Sequence, residues 1–329
     1  MSILQTTDNT TRRSAAIRSA RAVPGTRQPV ALALQGGGSF GAFTWGVLDR
    51  LLEAEMPFDM VSGTSAGALN AVLLADGLAE GGPEAAKAKL ARFWKRVSDT
   101  APLPVPTRAL EVTASIMSPY QFNPLGVNPL RDLLLHEVDF ERLRAETPLP
   151  LMIAATRVSD GRLRLFREHE ITLEAVLASC CLPRLHHAVE IDGEAYWDGG
   201  FSSNPPIRQL AIDTNADLIL LVQLLAETAP GTPRHGAEIS QRLSGIAFSE
   251  PLLKELEALD DLRALCREQK VMRSKQCRKI LRLRIQRISA ESAVDGLGQH
   301  SPLHVDRAFL SRLHEAGAAA ADGWLAAQS

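Results

Sequence analysis

The chain has 329 residues, of which 45% are hydrophobic, and its formal net charge at pH 7 is -2. A chain of this length and hydrophobic content can bury a large core, which excludes disorder of the whole molecule. Because the charge is close to balanced, there is no global basic field to attract nucleic acid or an anionic membrane. We therefore expect no nucleic-acid partner, and any peripheral membrane contact has to be local.

The four cysteines form no CxxC pair and show no spacing typical of a zinc site or a disulfide framework. This usage predicts a reducing, cytoplasmic location and no metal site. No apolar run approaches the roughly 20 residues that a membrane-spanning helix needs. The amino-terminal segment contains arginines but lacks the apolar stretch of a secretory signal. The sequence therefore predicts a soluble protein.

The predicted elements begin after a polar amino-terminal tail, residues 1–28, which we expect to be disordered. Residues 29–329 are predicted to form one domain. Short apolar segments with β propensity alternate there with amphipathic helical stretches, which is typical of a mostly parallel sheet covered on both faces, a three-layer α/β/α fold. The predicted strands are Val30–Leu34, Met60–Ser62, Leu151–Thr156, Leu163–Phe166, Leu218–Val222 and Ile280–Ile285. The predicted helices are Ala42–Ala54, Ala66–Ala75, Glu84–Val97, Pro129–Leu135, Leu173–Ser179, Pro205–Ile212, Pro251–Cys266 and Val305–Ala327.

The first chemical motif is the glycine-rich run from Gly36 to Gly41, which follows a predicted strand and opens a helix. It fits the G-x-G-x-x-G pattern of a dinucleotide site, but that site needs an acidic residue at the end of the next strand. Asp59 precedes its strand instead of ending it, and no Lys-Ser/Thr pair closes the glycines as in a P-loop. The remaining interpretation is a loop whose backbone N–H groups face developing negative charge, which is half of an oxyanion hole.

The second motif is Gly63-Thr-Ser-Ala-Gly67, a G-x-S-x-G between a predicted strand and a predicted helix. This is the context of a nucleophile elbow, in which a strained turn exposes the serine, here Ser65. Gly63 and Gly67 are expected because side chains there would collide with the neighbouring strand and helix. A chance Gly-Ser turn is the alternative for the pentapeptide alone, but the preceding glycine-rich loop favours a site at one end of the sheet.

A nucleophilic serine needs a base, and Asp198-Gly199-Gly200 supplies a candidate after the strand-like segment 194–197. An ordinary Asp-Gly hairpin turn is the structural alternative. However, Asn204-Pro-Pro206 and a helix follow, so Asp198 stands where a strand crosses over to a helix, as Ser65 does.

These three motifs resemble the patatin-like phospholipase family, whose fold combines a G-G-G-x-[RK]-G loop, a G-x-S-x-G elbow and a D-G-[GA] turn. They occur here in the family's order, and the resemblance extends from about Pro29 to Arg287. It implies the patatin-like three-layer fold and a serine lipid acyl hydrolase that acts on a lipid or acyl-ester substrate without a cofactor. The site residues that it implies are Ser65 as nucleophile, Asp198 as general base, Gly36, Gly37 and Gly38 as oxyanion-hole donors, and Gly41, Gly63, Gly67, Gly199 and Gly200 as motif-supporting glycines.

Two further features follow from the resemblance. The segment Ala178-Ser-Cys-Cys-Leu-Pro183 is similar to the family's small-residue segment ahead of the aspartate turn. Phe40 stands where the family usually has arginine or lysine, which puts in doubt any role of that cation in the oxyanion loop or in binding an anionic head group.

Three alternative functions stay open from the sequence. The chain order Ser65, Asp198, then His300 or His304 also fits a Ser-Asp-His α/β-hydrolase. A non-catalytic lipid-binding protein on the same fold and a dinucleotide-binding oxidoreductase are the others.

Two segments with a possible membrane role remain from the sequence. Apolar residues recur at helical spacing between Leu243 and Leu265, and this leucine stripe, which includes the predicted helix Pro251–Cys266, fits either a core helix or a lid or interfacial helix. The basic set is a solvated face or a surface that orients the enzyme on anionic lipid; its members are Arg273, Lys275, Arg278, Lys279, Arg282, Arg284 and Arg287.

Overall fold

The computed structural model describes residues 27–99, 117–228, 231–268, 274–291, 293 and 303–328. The tail predicted to be disordered lies outside these ranges except for Arg27 and Gln28. Residues 100–116 and the candidate histidine His300 also lie outside the described residues.

One sheet of eight strands forms the centre of the described part of the chain. The strands are β1 (Val30–Leu34), β2 (Phe58–Thr64), β3 (Leu151–Arg157), β4 (Leu163–Arg167), β5 (Val189–Ile191), β6 (Glu194–Asp198), β7 (Leu218–Gln223) and β8 (Arg284–Ser289). Five of the six predicted strands are confirmed, with ends that differ by at most two residues.

Helices flank the sheet, and those in the described ranges are as follows. They are α1 (Gly41–Glu53), α2 (Ala66–Gly81), α3 (Pro83–Asp99), α4 (Pro119–Phe122), α5 (Pro129–Glu137), α6 (Phe140–Glu146), α7 (Leu173–Ser179), α8 (Ile207–Asp213), α9 (Gly236–Glu268), α10 (Lys275–Arg282) and α11 (Arg307–Ala326). Short 3-10 helices cover Gly38–Phe40, Glu168–Glu170 and Gly199–Phe201.

The sheet is mixed but mostly parallel, as predicted. Its order is β5-β6-β3-β2-β1-β7-β8, and β4 pairs with β3 beside this path. The strands β3, β2, β1, β7 and β8 run parallel, whereas β4, β5 and β6 join by antiparallel pairing. The parallel strands therefore end at one edge of the sheet, called here the carboxyl edge, where α/β folds place their ligands.

Side chains of β1 alternate between two hydrophobic cores. Leu32 and Leu34 face the first core, which is covered by α1, α2, α3 and α11 among others. Ala31 and Ala33 face the second, which is covered by α8, α9 and α10. Because strand side chains alternate with a period of two, a fully buried run such as VALAL supplies both layers. This arrangement confirms the three-layer prediction.

The predicted strand Ile280–Ile285 is wrong, because helix α10 ends at Arg282 and β8 begins at Arg284. Ser274 caps α10, since its side chain accepts a hydrogen bond from Cys277 N at 3.1 Å. Ile280 and Leu283 then both reach the second core, at a spacing that fits a helical turn.

Helix α9 is twice as long as the predicted helix Pro251–Cys266, and Pro251 lies inside it. Leu252 and Leu259 are each 1% exposed and pack in the second core. Burial therefore supports the core interpretation for these two leucines, whereas Leu262 and Leu265 of the same stripe are exposed. Ile239, Leu243 and Ile246, earlier in the same helix, are exposed.

Candidate active site

Ser65 lies in the turn between β2 and α2, in the left-handed region of backbone space, with φ 53 and ψ -122. Such a conformation is strained for a residue with a side chain and persists only where the surroundings enforce it. Within residues 61–70, Ser65 alone is not buried. The turn therefore presents the serine hydroxyl while it buries the residues on both sides, as expected of a nucleophile elbow.

The two glycines of the elbow lie too close to other backbone atoms to carry a side chain. A Cβ on Gly67 would lie 2.0 Å from Leu34 O, and one on Gly63 would lie 2.5 Å from Gly67 O. Strand β1, strand β2 and helix α2 can approach this closely only because both positions are glycine. The positions of both residues agree with the packing reason for which they were predicted.

Asp198 reaches Ser65 because β2 and β6 pair with the same edge of β3. The pairs Thr64 with Ala154 and Asp198 with Ala155 are consecutive along β3. Strand β4 covers the opposite edge of β3 over the same residues. The two strands therefore meet end to end, so the residue after Thr64 and the last residue of β6 are brought together.

The carboxylate of Asp198 is fully buried, with 0% of the residue exposed. Its Oδ1 accepts a hydrogen bond from Gly200 N at 2.8 Å. Its Oδ2 is buried and has no hydrogen-bond partner among the described residues. In unliganded enzymes catalytic hydrogen bonds are often long and close only with substrate, so an open Oδ2 is compatible with a base.

Burial raises the pKa of Asp198 from 3.8 to about 7, because the charged form loses its hydration. The N–H of Gly200 and the hydroxyl of Ser65 oppose this rise in the pKa, which means that the hydroxyl lies near the carboxylate. A carboxylate with a pKa near neutrality is a far stronger base than an exposed one, and it is still largely ionised above pH 7.

The main chain on both sides of Asp198 is held by hydrogen bonds. Asp198 N donates to Cys181 O at 2.8 Å, and Asp198 O accepts from Thr156 Oγ1 at 2.8 Å. A Cβ on Gly199 would lie 2.2 Å from Ala154 O, and one on Gly200 would lie 2.4 Å from the ring of Phe248. The Asp-Gly-Gly turn is thus a buried turn packed against β3 and α9, and not an exposed hairpin.

The glycine-rich loop lies directly against Ser65. A Cβ on Gly36 would lie 2.8 Å from the Cβ of Ser65. However, Gly36 N donates to Asn204 Oδ1 at 2.7 Å, so this N–H is not free for a substrate. Gly36, one of the three predicted oxyanion donors, therefore has its N–H group already paired within the protein.

Gly37 and Gly38 remain as donor candidates. They stand at the start of the 3-10 helix Gly38–Phe40, where N–H groups have no partner within the helix. Gly38 has φ 58, a conformation that glycine adopts without strain. The candidate oxyanion hole is thus narrowed from three donors to two.

Phe40 and Gly41 anchor this loop by packing. Phe40 is 6% exposed, and its ring centroid lies 6.3 Å from that of Phe309 in α11. A Cβ on Gly41 would lie 2.8 Å from the Cβ of Ala66. An aromatic side chain in the core therefore holds the loop where the family usually has a cation.

The small-residue segment after α7 lies against the nucleophile. Ser65 N donates to Ser179 Oγ at 2.9 Å. Burial raises the pKa of the Cys180 thiol well above its ordinary value, and the negative charge of Asp198 adds to this rise. Cys180 is therefore a neutral thiol beside the Ser65 hydroxyl, and its place explains why the segment consists of small residues.

Asn204 and Ser179 are the two site residues that the sequence did not single out. Asn204 was noticed only because prolines follow it, and Ser179 only as part of a small-residue segment. Their partners lie 168 and 114 residues away along the chain, so no local pattern reveals the contacts.

The alternatives to a dyad find no support in the described residues. No histidine of the described ranges is among the groups that shift the pKa of Asp198. His304 contacts Asp306 instead, and its ring packs against Phe309 at 5.1 Å.

Asp59 binds elsewhere, which overturns its possible role in a dinucleotide site. Its Oδ2 accepts from Thr214 Oγ1 at 2.6 Å, at the amino-terminal end of β2 and away from the glycine-rich loop. Within the described ranges, no group of three or more His, Cys, Asp or Glu residues is arranged to hold a metal ion. In the same part of the chain, no helix combines the length and the apolar character needed to cross a membrane.

Comparison with known proteins gives one family. The profile described as Patatin-like phospholipase matches residues 32–211. Patatin-like phospholipase domain-containing protein 6 of Homo sapiens is 28% identical over 224 residues, which are 68% of this chain and 15% of that protein. Protein 7 of the same series, from Rattus norvegicus, is 25% identical over 219 residues, covering 65% of this chain and 15% of that protein.

The matched regions are thus a small part of these curated relatives. Among solved structures, VipD from Legionella pneumophila is similar with a TM-score of 0.48 and 15% identity, covering 92% of this chain and 67% of that chain.

Proposed function

The chain belongs to the patatin-like phospholipase family, and from this premise we propose that it is a serine lipid acyl hydrolase that uses Ser65 and Asp198 as a dyad. The observation that carries the proposal is the meeting of β2 and β6 on one edge of β3, which brings a half-buried serine next to a buried carboxylate. Family membership supports hydrolysis of a lipid ester.

In the proposed reaction Asp198 accepts the proton of the Ser65 hydroxyl while Ser65 Oγ attacks the acyl carbonyl carbon. Burial favours this transfer, because the ionised carboxylate is poorly hydrated and its Oδ2 has no other hydrogen bond among the described residues. The protonated Asp198 then donates to the leaving alcohol, and an acyl-enzyme ester on Ser65 remains. Water attacks this ester with Asp198 again as base.

Gly37 and Gly38 are proposed to stabilise the tetrahedral oxyanion through their backbone N–H groups. Each donor of this kind commonly contributes about 3 to 4 kcal/mol in the transition state. The support is their position at a helix start, with Gly36 of the same loop packed against Ser65. The reaction as proposed needs no metal or other cofactor.

The proposed substrate is a lipid or related acyl ester with an uncharged or zwitterionic portion near the glycine-rich loop. The support is the buried Phe40, which supplies no positive charge where the family usually has a cation. We further propose that the protein acts in the cytoplasm and contacts lipid aggregates only peripherally.

The decisive experiment combines a covalent label with two substitutions. A fluorophosphonate should label the wild type on Ser65, and Ser65→Ala and Asp198→Asn should each abolish hydrolysis of a chromogenic acyl ester while the fold is retained by circular dichroism. Ser159→Ala, at an exposed serine, is the matched control and should keep wild-type activity. Near-normal turnover by folded Ser65→Ala would reject the nucleophile.

The pH dependence tests the base separately. Because only ionised Asp198 accepts the proton, kcat/KM should rise with pH through a midpoint near the pKa of about 7. A profile that stays flat between about pH 5 and 9 would exclude Asp198 with its raised pKa as the base.

A further inference from the structure

The carboxamide of Asn204 is buried between the glycine-rich loop and helix α9. Its Oδ1 accepts from Gly36 N at 2.7 Å, and its Nδ2 donates to Phe248 O at 2.9 Å. Asn204 is 0% exposed. The orientation of the amide is therefore fixed, because the Gly36 N–H requires an oxygen and the Phe248 carbonyl requires an N–H group.

Asn204 also ends the segment that carries Asp198. Within this segment, Ser203 O accepts from Thr64 Oγ1 at 2.9 Å, so the chain after Asp198 is tied to the residue before the nucleophile. One residue later, Asn204 ties the same segment to Gly36. A stretch of six residues beyond Asp198 thus sets the distances from the candidate base to both the elbow and the glycine-rich loop.

The loop has little room to move independently of this contact. A Cβ on Gly36 would lie 3.0 Å from Asn204 Oδ1 and 2.8 Å from Ser65 Cβ. On the preceding residue, Gln35 Oε1 accepts from Leu224 N at 2.7 Å and from Leu225 N at 2.9 Å. The peptide before Gly37 is therefore held from the β7 side by Gln35 and from the Asp198 side by Asn204.

We propose that Asn204 is a positioning residue for the oxyanion hole: by holding Gly36 it aims the N–H groups of Gly37 and Gly38 at the reacting carbonyl. The inference rests on the proposed function and adds a residue to its site. Without the Oδ1 acceptor, the Gly36 N–H is left buried without its partner, which favours rotation of the loop toward another acceptor. Small errors in aim weaken an oxyanion hole strongly, because its value depends on preorganised donors.

The test compares Asn204→Ala with Thr214→Ala. Thr214 is equally buried and donates to Asp59, but it lies at the amino-terminal end of β2, opposite the end that carries Ser65. Asn204→Ala should lower kcat about 10- to 100-fold, less than the 10²- to 10³-fold expected for loss of a whole donor. KM should change by less than about 2-fold, since the ground-state contacts with substrate are kept. Thr214→Ala should keep kcat even if it lowers the melting temperature.

Two further measurements separate positioning from general damage. The inhibition constant of a trifluoromethyl ketone, which forms a tetrahedral oxyanion adduct with serine, should rise by the same factor as kcat/KM falls. The midpoint of the pH profile should stay near that of the wild type, because the carboxylate of Asp198 is untouched. Asn204→Asp keeps an acceptor for Gly36 N, and its kcat relative to that of the wild type at the same pH should exceed the ratio found for Asn204→Ala at pH values where the new carboxyl is protonated and can still donate to Phe248 O.

An unchanged kcat in folded Asn204→Ala would overturn the inference, as would a loss that appears only in KM or that Thr214→Ala reproduces. These outcomes are distinct from failure of the proposed function. If the proposed function were wrong, the wild type itself would neither hydrolyse the ester nor react with the fluorophosphonate.

Discussion

Phe40 occupies the position at which the family usually has arginine or lysine, and it has a different role there. Its side chain is almost fully buried and contacts the ring of Phe309, so it belongs to the first core. A phenyl ring holds the glycine-rich loop through burial, for which a fully buried aromatic contributes roughly 2 to 3 kcal/mol. Reintroducing a cation here would therefore do more than change the charge of the site.

We expect Phe40→Arg to lower the free energy of unfolding by at least about 3 kcal/mol, because it removes a packed ring and buries a charge without a partner. Phe40→Leu, which keeps an apolar side chain, is the control and should cost less. Urea unfolding measures both. If Phe40→Arg is as stable as Phe40→Leu and hydrolyses anionic esters faster, the position tolerates a cation and the packing account is wrong.

For single residues, the sequence predicts those site positions that depend on local geometry. Ser65, Gly63 and Gly67 could be found because a strand, a tight turn and a helix are consecutive in the chain. The hydrogen bond from Gly36 N to Asn204 could not be predicted, since it depends on how two distant loops approach each other. The strength of Asp198 as a base depends on its burial, which no local pattern encodes.

Helix α9 illustrates the same limit at the scale of elements. The spacing of its leucines predicts a helix. The predicted start at Pro251 agrees with the preference of proline for the first turn of a helix. The helix begins at Gly236 instead, and Pro251 is tolerated inside it. The periodicity also includes exposed positions such as Leu243, so it does not distinguish the leucines that are buried from those that are exposed.

A buried and an exposed leucine of α9 should therefore respond differently to truncation of the side chain. We expect Leu259→Ala to lower the free energy of unfolding by about 2 to 5 kcal/mol, because it leaves a cavity in the second core. The matched change Leu243→Ala removes the same atoms from a residue that is 62% exposed and should stay within about 0.5 kcal/mol of the wild type. Equal losses in urea unfolding would show that the side chain of Leu243 also packs against another part of the protein.

Strand order is a further property of elements that composition could not predict. The alternation of strands and helices favours a parallel sheet, and β1, β2, β3, β7 and β8 follow this rule. Strands β4, β5 and β6 instead add by antiparallel pairing around β3. Only this exception to the parallel pattern places Asp198 beside Ser65.

For the whole molecule, burial of Asp198 couples stability to pH. The pKa of Asp198 is about 7 in the folded state against 3.8 for an aspartate in water, so between these pH values the folded state holds a proton that the unfolded state has lost. Protonation of Asp198 thus contributes folding stability that is fully present below about pH 4 and is lost as the pH rises to about 7. The difference corresponds to about 4 kcal/mol.

Asp198→Asn should accordingly make the folded protein more stable at pH 8, by up to about 4 kcal/mol, and change it little at pH 4. The amide keeps an acceptor for Gly200 N and carries no charge that needs hydration. Urea unfolding at the two pH values measures the difference, with Asp192→Asn at an exposed carboxylate as control. A variant that is less stable than the wild type at pH 8 would contradict the burial argument.

The placement of the proposed dyad along β3 also has a kinetic consequence for folding. Ser65 and Asp198 are far apart in the chain and share no direct strand pairing, so each depends on β3 for its position. A chain in which β1 and β2 have paired, but in which β3 has not yet paired with β2, would be compact and would have no hydrolytic activity. Because long-range pairing of this kind forms slowly, recovery of hydrolysis after dilution from denaturant would report the moment at which β3 joins the sheet.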